Sequence, residues 1–194
     1  MMVGERVIVS AIEPEHIPAI VRWRNDPDVY AGFVEYEPLS STGQRMFLEQ
    51  LAQERSRRLW LVSVRAPSPA SNNGTDRRVA EDACPVGTIG LIDVDLRNRR
   101  CELGAFLIGE RDHRRFDVVA EAELLVLRHC FEHLGLHKVY AYVTDSNRRV
   151  TRLHRSLGFT EEACLREHVF RAGRFMNLHV LSILHEEYEQ RYGS

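Results

Sequence analysis

Few side chains in this sequence are arranged for chemistry, and the gaps narrow the field. Cys84, Cys101, Cys130 and Cys164 stand singly with no C-x-x-C pair, so they read as reduced thiols of a cytosolic protein, two of them core filler. The nine histidines are read as packed or solvated side chains, and no bound metal is expected. Neither G-x-x-x-x-G-K-[ST] nor G-x-S-x-G occurs, which leaves phosphate-loop and serine-hydrolase chemistry without support. What stands out is a carboxylate in an apolar run, Glu102 in C-E-L-G-A-F-L-I. Alternation along a strand aims it at one face of a sheet, where it is a candidate general base. The alternative is a carboxylate at a strand start, paired with Arg99 or Arg100. Asn147, ahead of R-R-V-T-R-L-H, has the side chain of a helix N-cap.

The elements that position such groups belong to one domain. The chain has 194 residues, 44% apolar and 28% charged, with a formal net charge of −2. A balance so near neutral argues against a strongly basic nucleic-acid binder. Collagen-like, coiled-coil and disordered classes are excluded by ordinary Gly and Pro content and ample apolar residues. No apolar run approaches the ~18–20 residues that span a bilayer, and the opening M-M-V-G-E-R lacks the apolar stretch of a signal peptide. A cytoplasmic chain with no membrane partner is expected. Of the 26 basic residues only Lys138 is a lysine, for which genome coding bias is the simplest reason.

Residues 6–12 are predicted as a strand, followed by a helix opened by Pro14 that runs to about Arg24, with Ile17, Ile20, Val21 and Trp23 near one face. A second helix is predicted from Ser41 to about Arg55, capped within Ser40, Ser41 and Thr42, with Phe47, Leu48 and Leu51 inward. Residues 59–64 form a strand, and residues 66–85 read as a mobile hairpin loop inside a single domain covering 1–194. Strands at 86–94 and 101–108 flank a turn, and Asp117 is expected to N-cap a long helix to about Leu134, closed by Gly135. An alternating strand at 138–144, a helix at 148–157 ended by Gly158, and a hairpin of 164–171 with 175–184 complete the chain. The order is an α/β (α+β) single layer with a mixed, mainly antiparallel sheet, and the helix between strands 101–108 and 138–144 makes a parallel crossover.

Several stretches together resemble the GNAT superfamily of N-acetyltransferases: P-V-G-T-I-G-L-I-D-V-D, E-L-G-A-F-L-I, F-E-H-L-G-L-H-K-V-Y-A-Y-V, and N-R-R-V-T-R-L-H-R-S-L-G-F followed by T-E-E-A-C-L-R. The segment W-R-N-D-P-D-V is similar to the branch that acetylates nucleotide-linked amino sugars, close to the ribosomal-protein N-terminal acetylases. The resemblance implies a GNAT fold with splayed central strands and about four helices, and acetyl-CoA as co-substrate. It places the donor against Phe106, Leu107, Ile108, Arg114, Arg115, Val118, Val119 and Asn147. The acceptor falls near Trp23, Arg24, Asn25 and Asp26. Glu102 would be the base, Asn147 would touch the donor arm or a catalytic water, and His154 stands where a tyrosine usually protonates the leaving thiolate.

The sequence departs from the family pattern at two places. Arg115, Asp117 and Val119 occupy positions where the helix normally opens with glycines that cradle a pyrophosphate, and His154 replaces the tyrosine. Arginine side chains at Arg111, Arg114 and Arg115 can replace such amides, or form a solvated basic rim. Three functions follow: acyl transfer to the primary amine of a small biosynthetic acceptor, the same chemistry from an aminoacyl-tRNA held by the Arg-rich surface near Arg111–Arg115 and Arg148–Arg155, or a non-catalytic GNAT-like binding domain. A homodimer through the tail strands is expected by analogy.

Overall fold

The computed structural model describes residues 1–33, 37–65 and 83–193. The predicted loop at 66–85 lies outside them, except that residues 83–85 already belong to a strand. Eight strands form one sheet in the order β1-β2-β3-β4-β5-β6-β8-β7. They are β1 (Met2–Val3), β2 (Val7–Ser10), β3 (Arg58–Arg65), β4 (Ala83–Asp95), β5 (Arg100–Ile108), β6 (Lys138–Thr144), β7 (Thr160–Arg171) and β8 (Arg174–Leu184). All neighbours pair antiparallel except β5 with β6, which are parallel.

Six α-helices lie among the described residues, against about four expected: α1 (Ile17–Arg24), α2 (Pro27–Tyr30), α3 (Ser41–Gln53), α4 (Phe116–Arg128), α5 (Arg148–Ser156) and α6 (His185–Tyr192). Two were invisible to periodicity. The single turn of α2 is too short for any repeat, and mostly polar α6 buries only Tyr188. Ser40 caps α3 as expected, its Oγ accepting from the Gly43 amide at 3.0 Å. Phe47, Leu48 and Leu51 are half-buried, and the side chain that α3 buries is Gln44.

Helix α4 covers the sheet with Val118, Ala122, Leu125 and Val126, the spacing that puts apolar groups on one face. Its start corrects the expectation for Asp117. Arg115 is the N-cap residue and Asp117 is already helical; its carboxylate meets Arg6 Nη1 at 3.0 Å and Arg115 Nη2 at 2.7 Å. The Arg115 hydrogen bond first of all holds the Asp117 carboxyl below the usual carboxylate range. Further along, α4 passes into a π-helical turn at His129–His133. There His129 and His133 stand four residues apart, a spacing the sequence reading passed over, with rings 5.6 Å apart. Among the described residues no group of three or more potential metal ligands occurs.

Two bulges shape the sheet around Glu102. Between Thr88–Leu107 and Gly90–Gly104 the strand β5 carries an extra residue, and Ala105 sits there at φ +50°. Between Ile92–Glu102 and Asp95–Arg100 the extra residue is on β4, where Asp93 has φ +49°. Bulges bend and overtwist the strand that carries them. Strand β5 accordingly pairs with β6 only at Arg100–Lys138, Cys101–Val139 and Glu102–Tyr140, then leaves it. Leu103–Ile108 and Ala141–Thr144 face each other across an open wedge.

Candidate active site

A cavity of about 620 Å³ fills this wedge and continues under α1–α3. That size is ordinary for a small-molecule site. One wall contains Phe106, Leu107, Ile108, Arg114, Val119, Asn147 and His154, residues that the resemblance would set at the donor. Arg24 lines the opposite side together with Val29, Phe33, Phe47 and Leu51, and Glu102 lies at the fork.

Glu102 is half-buried, and its carboxyl is pushed up to about 7, chiefly by desolvation and next by the charge of Asp93, against the opposing effect of Arg57. The alternative ion pairs do not form: Arg99 Nε donates to the Gly135 carbonyl at 2.7 Å, and Arg100 faces Asp95 at 3.8 Å. Beside it, burial raises the Tyr140 hydroxyl to about 12. Glu102 is therefore a carboxyl poised between its two protonation states at neutral pH.

Asn147 caps α5, its Oδ1 accepting from the Val150 amide at 3.4 Å. Gly158, at φ +99°, then turns the chain out of the helix, which a side chain would resist. On α5, His154 is 4% exposed and stacks on Phe159 with ring centroids 4.8 Å apart. Its Nε2 lies 3.3 Å from Oε1 of Glu123, which is 1% exposed on α4. Among the described residues, His154 Nδ1 and Glu123 Oε2 have no hydrogen-bond partner. Sequence reading missed Glu123, because a carboxylate in the buried stripe of a helix has no signature until its partner is known.

Five expected contacts do not line this cavity. Trp23 is core, 2% exposed, with Nε1 donating to Glu110 at 2.8 Å; a Cβ on Gly109 would fall 2.0 Å from its ring. Asn25 bridges the Leu39 backbone, donating to its carbonyl at 2.7 Å and accepting from its amide at 2.9 Å. Asp26 caps α2 by accepting from the Asp28 amide at 2.9 Å. Val118 is buried against the sheet, and Arg115 is paired with Asp117.

Of the arginines read as a nucleic-acid rim, several are engaged within the chain, while Arg148 and Arg152 are exposed. Arg111 pairs with Asp28, Arg114 donates to the Ile108 and Gly109 carbonyls and faces Asp26, and Arg155 pairs with Glu161 at 2.8 Å. No described helix is long and apolar enough to cross a membrane.

A parallel pair that parts beside a half-buried carboxyl, with a helix start beyond it, is the splayed-strand arrangement expected of an α/β acyltransferase. Residues 6–160 match the family model described as the acetyltransferase (GNAT) domain, and the chain belongs to that family. It is 25% identical to an uncharacterized N-acetyltransferase, p20, of Bacillus licheniformis over 95% of this chain and 96% of the relative. It is 30% identical to the spermidine N(1)-acetyltransferase of Vibrio cholerae over 62% of this chain and 69% of the relative. A crystal structure of spermidine N-acetyltransferase from Vibrio cholerae in complex with CoA and spermine superposes with a TM-score of 0.80, covering 95% of this chain and 99% of that one at 22% identity, a likeness of fold.

Proposed function

We propose that this chain transfers an acyl group, by default acetyl from acetyl-CoA, to the primary amine of a small molecule, with Glu102 as the general base. The observation that carries the reading is the end of β5–β6 pairing at Glu102–Tyr140, which leaves unpaired β5 backbone beside a titrating carboxyl. Fit to the donor is supported by the same wedge. The start of α4 does not add to this support, because the Asp117 carboxylate faces the first-turn amides of Asp117 and Val118 as well as Arg6 and Arg115. Phe106, Leu107, Ile108, Val119 and Asn147 would hold the donor arm. Bound acetyl-CoA supplies the activated carbonyl.

The chain's own part is positioning and proton handling. An incoming ammonium gives its proton to Glu102, and the amine nitrogen becomes nucleophilic at the fork. Unpaired N–H groups of β5 offer donors for negative charge developing on a carbonyl oxygen. His154, its Nε2 facing Glu123 at 3.3 Å, borders the wedge where the resemblance puts the proton donor to the departing sulfur. An amino-sugar acceptor near W-R-N-D-P-D-V remains part of the proposal, with Arg24 the one residue of Trp23–Asp26 that lines the cavity.

The reason for an aminoacyl-tRNA donor weakens around Arg111–Arg115, where the arginines are paired with carboxylates or carbonyls, and stands on the exposed Arg148 and Arg152. A homodimer is supported by exposed edge strand β7 and by Phe170 and Phe175 at the hairpin tip, 64% and 61% exposed and 5.0 Å apart. The test is acetyl-CoA consumption with a panel of primary amines. Turnover that falls about 100-fold or more in Glu102→Gln supports the reading; no turnover with any amine, or full activity in that variant, overturns it.

A further inference from the structure

The acceptor half of the cavity has a charge pattern that amine transfer alone does not require. Its floor and walls are apolar, from Phe33, Phe47, Leu51 and Leu59. Into it come Arg24, Arg57 and Arg58, against Asp28 and Glu102. Asp28 is neutralised by Arg111, and Glu102 is protonated for part of its time at neutral pH. Arg58 is spent on the end of α3, donating to the Arg55 carbonyl at 2.8 Å and the Arg57 carbonyl at 2.7 Å. Arg24 and Arg57 remain. Arg24 is half-buried with its guanidinium over the Phe33 ring at 5.5 Å, and among the described residues it has no ion pair or hydrogen bond. The Arg57 side chain likewise has no hydrogen bond or ion pair among the described residues, and its charge is felt by Glu102.

A guanidinium laid on an aromatic face and engaged by no carboxylate or carbonyl of the chain keeps its donors free for a ligand, and a planar fork of N–H groups matches a carboxylate or phosphate. A second ammonium, as in a polyamine, would meet like charge there. We infer that Arg24, assisted by Arg57, is an anion-reading subsite, so that the acceptor presents its amine to Glu102 and a carboxylate or phosphate to Arg24. This deepens the transferase reading and rests on it.

Matched acceptors test the inference: 5-aminopentanoate and an aminoalkyl phosphate of similar length against 1,5-diaminopentane. Each is assayed for kcat/KM with acetyl-CoA, and for equilibrium binding to the donor-free protein by ligand-observed NMR. The expected result is a preference of roughly tenfold or more for an anion-bearing amine in both measurements, the scale of one charge-assisted contact. The carboxylate and phosphate arms identify which anion fits better. Arg24→Gln should collapse the preference, and Arg24→Lys should keep part of it. A diamine that binds and reacts as well as the amino acid overturns the subsite without any variant. A preference that survives both Arg24→Gln and Arg57→Gln also overturns it. Absence of acetylation with every amine sinks the transferase reading instead, and the binding comparison still decides the subsite.

Discussion

Glu102 illustrates how one side chain can cost stability and supply chemistry. An ordinary glutamate ionises near 4.5 and this one near 7, because burial and Asp93 disfavour its charge. As pH rises from 4.5 the unfolded chain loses this proton before the folded one, so stability declines up to about 7 and stays lower above it. A general base needs the ionised form, so kcat should rise with pH through an acid limb near 7; a flat profile between 5 and 8 would remove Glu102 from that role. Glu102→Gln should melt higher than wild type at pH 8, with the difference vanishing below 4.5. The gain is roughly 1 kcal/mol once solvent screening is allowed for, or ~2–4 °C in a domain of this size. The Glu123–His154 pair makes a different claim. His154→Phe strands a buried carboxylate and should cost about 3 kcal/mol in urea unfolding, whereas adding Glu123→Leu should recover most of it. Equal losses in the single and double variants would show that the pair is not coupled.

Among the elements, β5 decides whether there is a site. Ala105 holds a left-handed conformation at φ +50°, which glycine adopts without penalty. Ala105→Gly should therefore preserve turnover and stability, while Ala105→Val, β-branched at positive φ, should lower thermal stability and weaken acetyl-CoA binding together. Measured melting temperatures and donor affinities that stay unchanged in Ala105→Val would detach the bulge from the wedge. Helix α5 depends on its cap in a simpler way. Asn147→Ala should destabilise by about 1 kcal/mol in chemical denaturation. A larger fall in kcat than in stability would assign Asn147 a second task at the donor.

For the molecule as a whole, the two halves of the site are fastened from far apart in the chain. Arg171, at the β7–β8 turn, donates to the Tyr30 and Phe33 carbonyls beside the acceptor half, and Arg6 and Val7 donate their amides to Glu121 on α4. A ligand lying across such a wedge binds only the folded state. Coenzyme A at about 100 times its Kd should then add roughly 2.7 kcal/mol, read as a rise in melting temperature. That rise should survive ribonuclease treatment. No shift at saturating coenzyme A would argue for a different donor.

Much of this was legible in the residues. Glycine and asparagine stops, alternating strands and the parallel crossover follow from local periodicity and turn chemistry, so Lys138–Thr144 and the cap at Asn147 could be read directly. Glu102 could be singled out because a carboxylate among apolar strand residues has few reasons to be there. Other features depend on distant partners. Trp23, Asn25 and Asp26 stand together in the sequence, but their partners Glu110, Leu39 and α2 are visible only in the fold. Asp117 looks like a cap until Arg6 and Arg115 draw it aside. Sequence alone thus pointed to the family through its motifs and to the strands and caps through neighbours a few residues away, and it singled out Glu102 as a carboxylate in an apolar run. Tertiary structure alone decided which charges remain unpaired in the cavity, because pairing depends on side chains brought together across the fold.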